Sequence, residues 1–158
     1  MPQHPILISA CLLGEKVRYD GGSMELENST LKNWQKESLL IPICPEVSGG
    51  LSTPRKPAEI TMDNELTKIV NIENIDVTEE FNRGAQKALQ VCQQHNIKLA
   101  ILTESSPSCS SSYIHNGQFD GQIISGEGIT TRLLRANNIK VFNQFQIEQA
   151  FSYHQSLV

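Results

Sequence analysis

The chain has 158 residues, a length that suits one domain built on one hydrophobic core. With 39% apolar and 19% charged residues, it falls outside the disordered and membrane classes. A net charge of −4, from 13 basic and 17 acidic residues, excludes a broad polyanion-binding surface, because affinity for a phosphate backbone needs clustered lysine and arginine.

The opening segment, Met1 to Gly14, carries an apolar run from Pro5 to Leu13 with no basic stretch before it. The run is too short to span a bilayer, so a cytoplasmic protein without a membrane partner is expected. In that compartment four cysteines serve metal binding or catalysis rather than disulfides. Within the run, Ile6-Leu7-Ile8 reads as a first strand that ends in Ser9-Ala10-Cys11. Gly14 and Gly21-Gly22 break the next segment, and a helix is predicted between Ser29 and Lys36. A second strand, Leu39 to Ile43, delivers the chain to Cys44, and Pro42 inside it predicts an edge or an irregular strand. Ser48 to Arg55 is a loop by composition. Glu59 to Met62 and Leu66 to Ile72, joined around Asp63-Asn64, read as a β-hairpin.

Asp76 or Thr78 suits the cap of the next helix, and Glu79 and Glu80 suit its first turn. That helix runs to about His95, with Phe81, Ala85, Ala88, Leu89 and Cys92 along one face. Leu99 to Leu102 forms a third strand leading into Glu104-Ser105-Ser106-Pro107-Ser108-Cys109. Gly121, Gly126 and Gly128 punctuate the following stretch, and Thr130 to Ala136 is a short helix. Lys140-Val141-Phe142 makes the last strand, followed by a helix from about Gln146 to Tyr153. This alternation predicts an α/β fold: a single-domain, Rossmann-like parallel sheet flanked by helices, with the hairpin appended, over residues 1–158.

Three of the four cysteines share one position in this pattern. Cys11, Cys44 and Cys109 follow the C-terminal ends of predicted strands, and in open α/β sheets those ends converge on the ligand crevice. Cys92 falls on the apolar helix face and belongs to the core. Three thiolates suit a soft metal centre, either zinc with a water or an iron–sulfur cube with one iron open. Glu46, just past Cys44-Pro45, enters the same crevice as a general acid or base. Ser106 and Ser108 flank Pro107; their hydroxyls serve a substrate or a proton relay, or else ordinary turn chemistry. Arg18 and Arg55 stand in the loops after the first two cysteines, where a planar guanidinium matches carboxylate or phosphate.

At these residues the chain resembles a known family. The segments Cys11-Leu12-Leu13-Gly14, Arg18-Tyr19-Asp20-Gly21-Gly22, Cys44-Pro45-Glu46-Val47, Gly49-Gly50-Leu51, Thr53-Pro54-Arg55, Ala58-Glu59-Ile60 and Ser106-Pro107-Ser108-Cys109 follow in the order of the thiouracil desulfidase family. Asp76-Val77-Thr78, Gly84-Ala85 and Gly126-Glu127-Gly128-Ile129 extend the likeness over nearly the whole chain. The resemblance implies conversion of a thiolated uracil C=S to C=O with release of hydrogen sulfide. It also implies a [4Fe-4S] cluster on Cys11, Cys44 and Cys109 with its fourth iron open, and Glu46 and Ser106 as catalytic partners. Implied substrates are 2-thiouracil, 4-thiouridine or its monophosphate, a product of tRNA turnover; Arg18, Arg55 and Ser108 are expected as substrate contacts from their own places in the loops. One residue departs from the family pattern: Ser110 stands where glycine usually follows the third cysteine, and its side chain bears on substrate preference. The rival readings are a zinc or thiol-dependent hydrolase and a non-catalytic cluster carrier. A monomer or homodimer without a stable nucleic-acid complex is expected.

Overall fold

Four short apolar segments pair into a parallel sheet: β1 (Ile6–Ser9), β2 (Leu40–Ile43), β5 (Leu99–Ile101) and β8 (Lys140–Phe142). They lie in the order β2-β1-β5-β8. The computed structural model describes residues 3–63, 66–104 and 106–157. Successive residues of β1 point to opposite faces, and both faces are covered, which is why its sequence is apolar throughout instead of alternating. On one face Ile6, Ile8, Leu99 and Ile101 meet Leu31 and Trp34 of α1 (Ser29–Lys36) and Ile147 and Ala150 of α5 (Ile147–Gln155). On the other, Leu7, Ala100 and Val141 meet Ala88, Leu89 and Cys92 of α3 (Thr78–Gln94) and Leu134 of α4 (Ile129–Ala136). The architecture is thus an α/β sheet flanked by helices. Each fully buried Leu or Ile contributes about 1.5–3 kcal/mol. β2 is an edge strand, so the missing N–H of Pro42 costs no bond that an interior strand would need.

The hairpin is β3 (Ala58–Asp63) with β4 (Leu66–Asn71), antiparallel; the predicted turn residue Asn64 lies outside the described residues. Beneath it Ile60, Ile69, Val77 and Phe81 form a satellite core. Neither residue predicted to cap α3 does so: the N-cap is Val77, without a side-chain cap bond, and Asp76 and Thr78 bond elsewhere. Asp76 Oδ1 accepts the Thr78 N–H at 2.9 Å, whereas Thr78 Oγ1 accepts the Ile69 N–H at 2.8 Å and so ties the start of α3 to the hairpin. A further antiparallel pair, β6 (Tyr113–His115) with β7 (Ile123–Ser125), occupies a stretch whose glycines predicted only punctuation. Among the described residues no helix is long and apolar enough to cross a membrane.

One turn of helix, α2 (Pro45–Ser48), follows β2 directly, with Pro45 at its first position, where a missing N–H is harmless. Two glycines bring it against α3. A Cβ on Gly49 would lie 1.9 Å from the Glu80 carbonyl oxygen, and one on Gly84 would lie 1.9 Å from that of Pro45. Because the second contact bears on the turn carrying Cys44 and Glu46, α2 must retreat if Gly84 gains a side chain. Alanine in a helix interior ordinarily gains about 1 kcal/mol over glycine. Here Gly84→Ala is expected to lose about 1–3 kcal/mol through overpacking. Urea unfolding checks this, and a midpoint raised above that of the wild type would refute the tight crossing.

Candidate active site

A cavity of about 390 Å³ opens where β1, β2 and β5 end, on the crevice side of the sheet. Its size falls among small-molecule sites, roughly 300–1,000 Å³. Cys11, Cys44 and Cys109 all line it, as do Glu46, Arg55, Ser106 and Arg18. Cys11 sits in a single 3-10 turn, Ala10–Leu13, directly after β1, and Cys44 caps α2. Cys109 stands farther from its strand, in a turn past Pro107. That turn is held by the start of α4: the N–H groups of Gly128, Ile129 and Thr130 donate to the carbonyls of Ser110, Pro107 and Ser108 at 2.8, 2.9 and 2.9 Å. Thr131 Oγ1 donates to the Cys109 carbonyl at 2.8 Å. Donors that a helix start would otherwise leave orphaned therefore fasten the third cysteine. Gly128 permits this approach, since a Cβ there would lie 2.3 Å from the Ser108 carbonyl oxygen.

All four cysteines are free. Burial pushes the Cys11 thiol up to about 11, with the nearby Cys44 adding to the shift. Burial likewise raises Cys44, with Glu46 contributing. Cys109 is raised by burial and then by Glu46, Cys44 and Cys11. Cys92 is pushed up to about 12 by burial alone. The first three thus lie within electrostatic reach of one another, and Cys92 does not share their company. Thiols raised in this way keep their protons until a cationic centre takes them as thiolates. The donor set therefore fits an iron–sulfur cluster. Among the described residues no three His, Cys, Asp or Glu side chains close on a single metal-ion position.

Glu46 and Ser106 meet. Ser106 Oγ donates to Glu46 Oε1 at 3.3 Å and accepts the N–H groups of Ser108 and Cys109 at 3.0 and 3.2 Å. The other carboxylate oxygen, Glu46 Oε2, receives Arg55 Nη2 in a partly buried ion pair. Arg55 Nη1 also donates to the carbonyls of Val17 and Ser52, both at 3.1 Å. Expected as a substrate contact, Arg55 is turned toward Glu46 and fixes its orientation. Arg18 lines the cavity beside the Tyr19 ring, 5.9 Å from its centroid. Ser108 is fully buried outside the cavity lining, its hydroxyl paired with Thr130 Oγ1 at 2.6 Å. Ser110 also turns inward: its Oγ accepts the Ser106 N–H at 2.9 Å and braces the loop.

Glu59, Glu104 and His115 are lining residues to which the sequence assigned no role. Glu59 Oε1 accepts the N–H groups of Gly117 and Phe119 at 3.0 and 3.1 Å, pinning the β6–β7 loop to β3. Its place in the Ala58-Glu59-Ile60 segment was the available signal. Glu104 and His115 each hold a buried atom without a protein partner, Oε2 and Nδ1 respectively. Glu104 follows a strand that ends at this crevice, which is a positional signal; nothing in the sequence around His115 marks it.

The chain resembles known proteins over nearly its whole length. The chain is 38% identical over 148 residues to the uncharacterized protein YbbK of Bacillus subtilis (strain 168), covering 90% of this chain and 97% of that one. A solved structure of the [4Fe-4S]-dependent thiouracil desulfidase TudS superposes with a TM-score of 0.91 at 45% identity, over 99% of this chain and all of that one. The 2-thiouracil desulfurase family matches residues 6–146, nearly the full length, and the chain belongs to that family.

Proposed function

We propose that this chain, read as one domain over residues 1–158, is a [4Fe-4S]-dependent desulfidase that hydrolyses the thiocarbonyl of thiolated uracil compounds and releases hydrogen sulfide. The observation that carries the reading is the convergence of three free thiols with the Glu46–Ser106 pair on one cavity of small-molecule size. Cys11, Cys44 and Cys109 would hold the cluster, which when bound supplies a soft Lewis-acid iron suited to sulfur rather than oxygen. The chain's own residues handle the water and the protons. Glu46, oriented by Arg55 at Oε2, presents Oε1 to a water and takes its proton as the oxygen bonds to the ring carbon. Ser106 shares that proton with Glu46 and returns it to the departing sulfur. Water contributes one oxygen and two protons, sulfur leaves as hydrogen sulfide, and no external electron donor enters the balance. The proposed substrates are 2-thiouracil, 4-thiouridine and its monophosphate, and Arg18 is a cationic lining residue placed to receive a phosphate.

The test is anaerobic reconstitution with iron and sulfide, followed by 2-thiouracil or 4-thiouridine monophosphate. Loss of the thiocarbonyl absorbance with stoichiometric sulfide is expected. A brown protein that leaves every thiolated pyrimidine intact would point to the carrier role, and a protein that binds one zinc per chain and no iron would establish the zinc reading.

A further inference from the structure

Residues 116–122, the loop between β6 and β7, reach the cavity with Phe119 and Gly121. The loop is closed on itself: the Asn116 N–H donates to the Gln122 carbonyl at 3.1 Å, and side-chain oxygens of Asn116 and Asp120 accept the N–H groups of Gln118 and Gln122 at 2.9 and 3.0 Å. It is also pressed onto β3, where a Cβ on Gly117 would lie 2.8 Å from the Ile60 carbonyl oxygen. There Glu59, 8% exposed, takes the N–H groups of Gly117 and Phe119 on one carboxylate oxygen. Phe119 itself has a left-handed backbone, with φ at +56°. The other non-glycine residues of this kind among the described ones are Asn74, Asn96, Asn138 and Ser38, all short and polar. A bulky aromatic residue persists in that conformation only where its surroundings over-determine it, as they do in ligand clamps. Here the surroundings are the Glu59 carboxylate and the closed loop, and the place is a cavity that Leu51, Val77 and Phe81 of the satellite core also line.

Resting on the desulfidase reading, we infer that Glu59 is a positioning residue: it holds loop 116–122 against β3 so that Phe119 packs on the face of the thiolated pyrimidine ring. The strand ends bring thiols, a carboxylate and a hydroxyl to the cavity, which suit the polar edge of such a ring and its sulfur. The satellite core and Phe119 bring apolar surface, which suits its flat faces. A contact on the ring face acts equally before and during the reaction, so its loss raises KM and leaves kcat in place. Without Glu59, two N–H groups lose their acceptor and the loop keeps its course for only a fraction of the time. Apparent affinity then falls by that fraction.

The experiment compares wild type with Glu59→Ala, Glu59→Gln and Phe119→Gly, each reconstituted with iron and sulfide. KM and kcat are measured with 2-thiouracil, and its equilibrium binding is measured in the same proteins carrying Glu46→Gln, where turnover is slow. Glu59→Ala is expected to raise Kd and KM about tenfold, with kcat within about threefold and iron content unchanged. It is also expected to open the chain to chymotrypsin after Phe119. Glu59→Gln keeps an oxygen for both N–H groups, so its Kd is expected to return to within about threefold of wild type. Phe119→Gly takes the left-handed backbone without strain and keeps every hydrogen bond of the loop, so it removes the ring alone; a Kd about tenfold higher is expected. That variant decides the matter even if Glu59→Ala does not fold. An unchanged Kd in Glu59→Ala or in Phe119→Gly overturns the proposal, and so does a loss of kcat or of iron at constant Kd. Glu59→Gln binding as weakly as Glu59→Ala overturns the positioning role. A raised Kd in both variants, with the thiocarbonyl left intact by wild type, would keep the wall and sink the desulfidase reading; turnover by wild type with Kd unmoved in the variants would do the reverse.

Discussion

Alanine at any one of Cys11, Cys44 or Cys109 is expected to abolish stable cluster uptake and all turnover, whereas Cys92→Ala keeps both. The four thiols are equal in chemistry and unequal in company. Cys92 packs with Ala88 and Leu89 between α3 and the sheet, and only burial acts on it. The other three line one cavity, where Cys44 helps to raise Cys11 and both help to raise Cys109. A cube on three protein ligands that loses one has two exposed irons and no nearby thiol to recruit, because Cys92 is held on a separate helix face. Cys92→Ala removes one buried sulfur and is expected to cost about 1–2 kcal/mol in stability, at the small end of core truncations. Iron and acid-labile sulfide per chain, with the visible absorbance, read the result directly. A cluster that survives Cys109→Ala but not Cys92→Ala would move the metal centre off the strand ends.

That distinction was legible before the structure, because strand ends and helix faces leave different marks. Cys92 follows Ala85, Ala88 and Leu89 at helical spacing, and Cys11 and Cys44 directly follow apolar runs. Pro42 likewise announced an edge strand. The β6–β7 pair was hidden because its strands have three residues each and a long loop between them, too short for any alternation to show. What each polar side chain faces was also beyond reach. Arg55 in a loop reads as an anion receptor, and its anion proves to be Glu46, nine residues earlier in the chain and across a cavity wall. Ser108 and Ser106 are alike in sequence, yet one turns to Thr130 and the other to Glu46. The close approach at Gly84 depends on where α2 crosses α3, and no local pattern encodes a crossing.

Glu46→Gln is expected to lower kcat by about 10²- to 10⁴-fold, the usual weight of a general acid–base group, while iron content and KM stay near wild type. Glutamine keeps the shape, with its one amide oxygen held by Arg55, and it removes the capacity to take a proton. Ser106 cannot substitute, since a neutral hydroxyl whose oxygen already accepts two backbone N–H groups is no base for water. The variant also leaves Arg55 without its carboxylate. Removing one member of a buried pair typically costs about 3–5 kcal/mol, but Arg55 retains the Val17 and Ser52 carbonyls, so the expected fall in stability is smaller. Rates are therefore normalised to cluster-loaded protein, with thermal unfolding measured beside them. Single-turnover loss of the thiocarbonyl band separates the chemical step from sulfide release. A single-turnover rate within threefold of wild type would remove Glu46 from the proton path and leave it only a structural partner of Arg55. A rate lost in proportion to iron would make it instead a support for the cysteines that flank it.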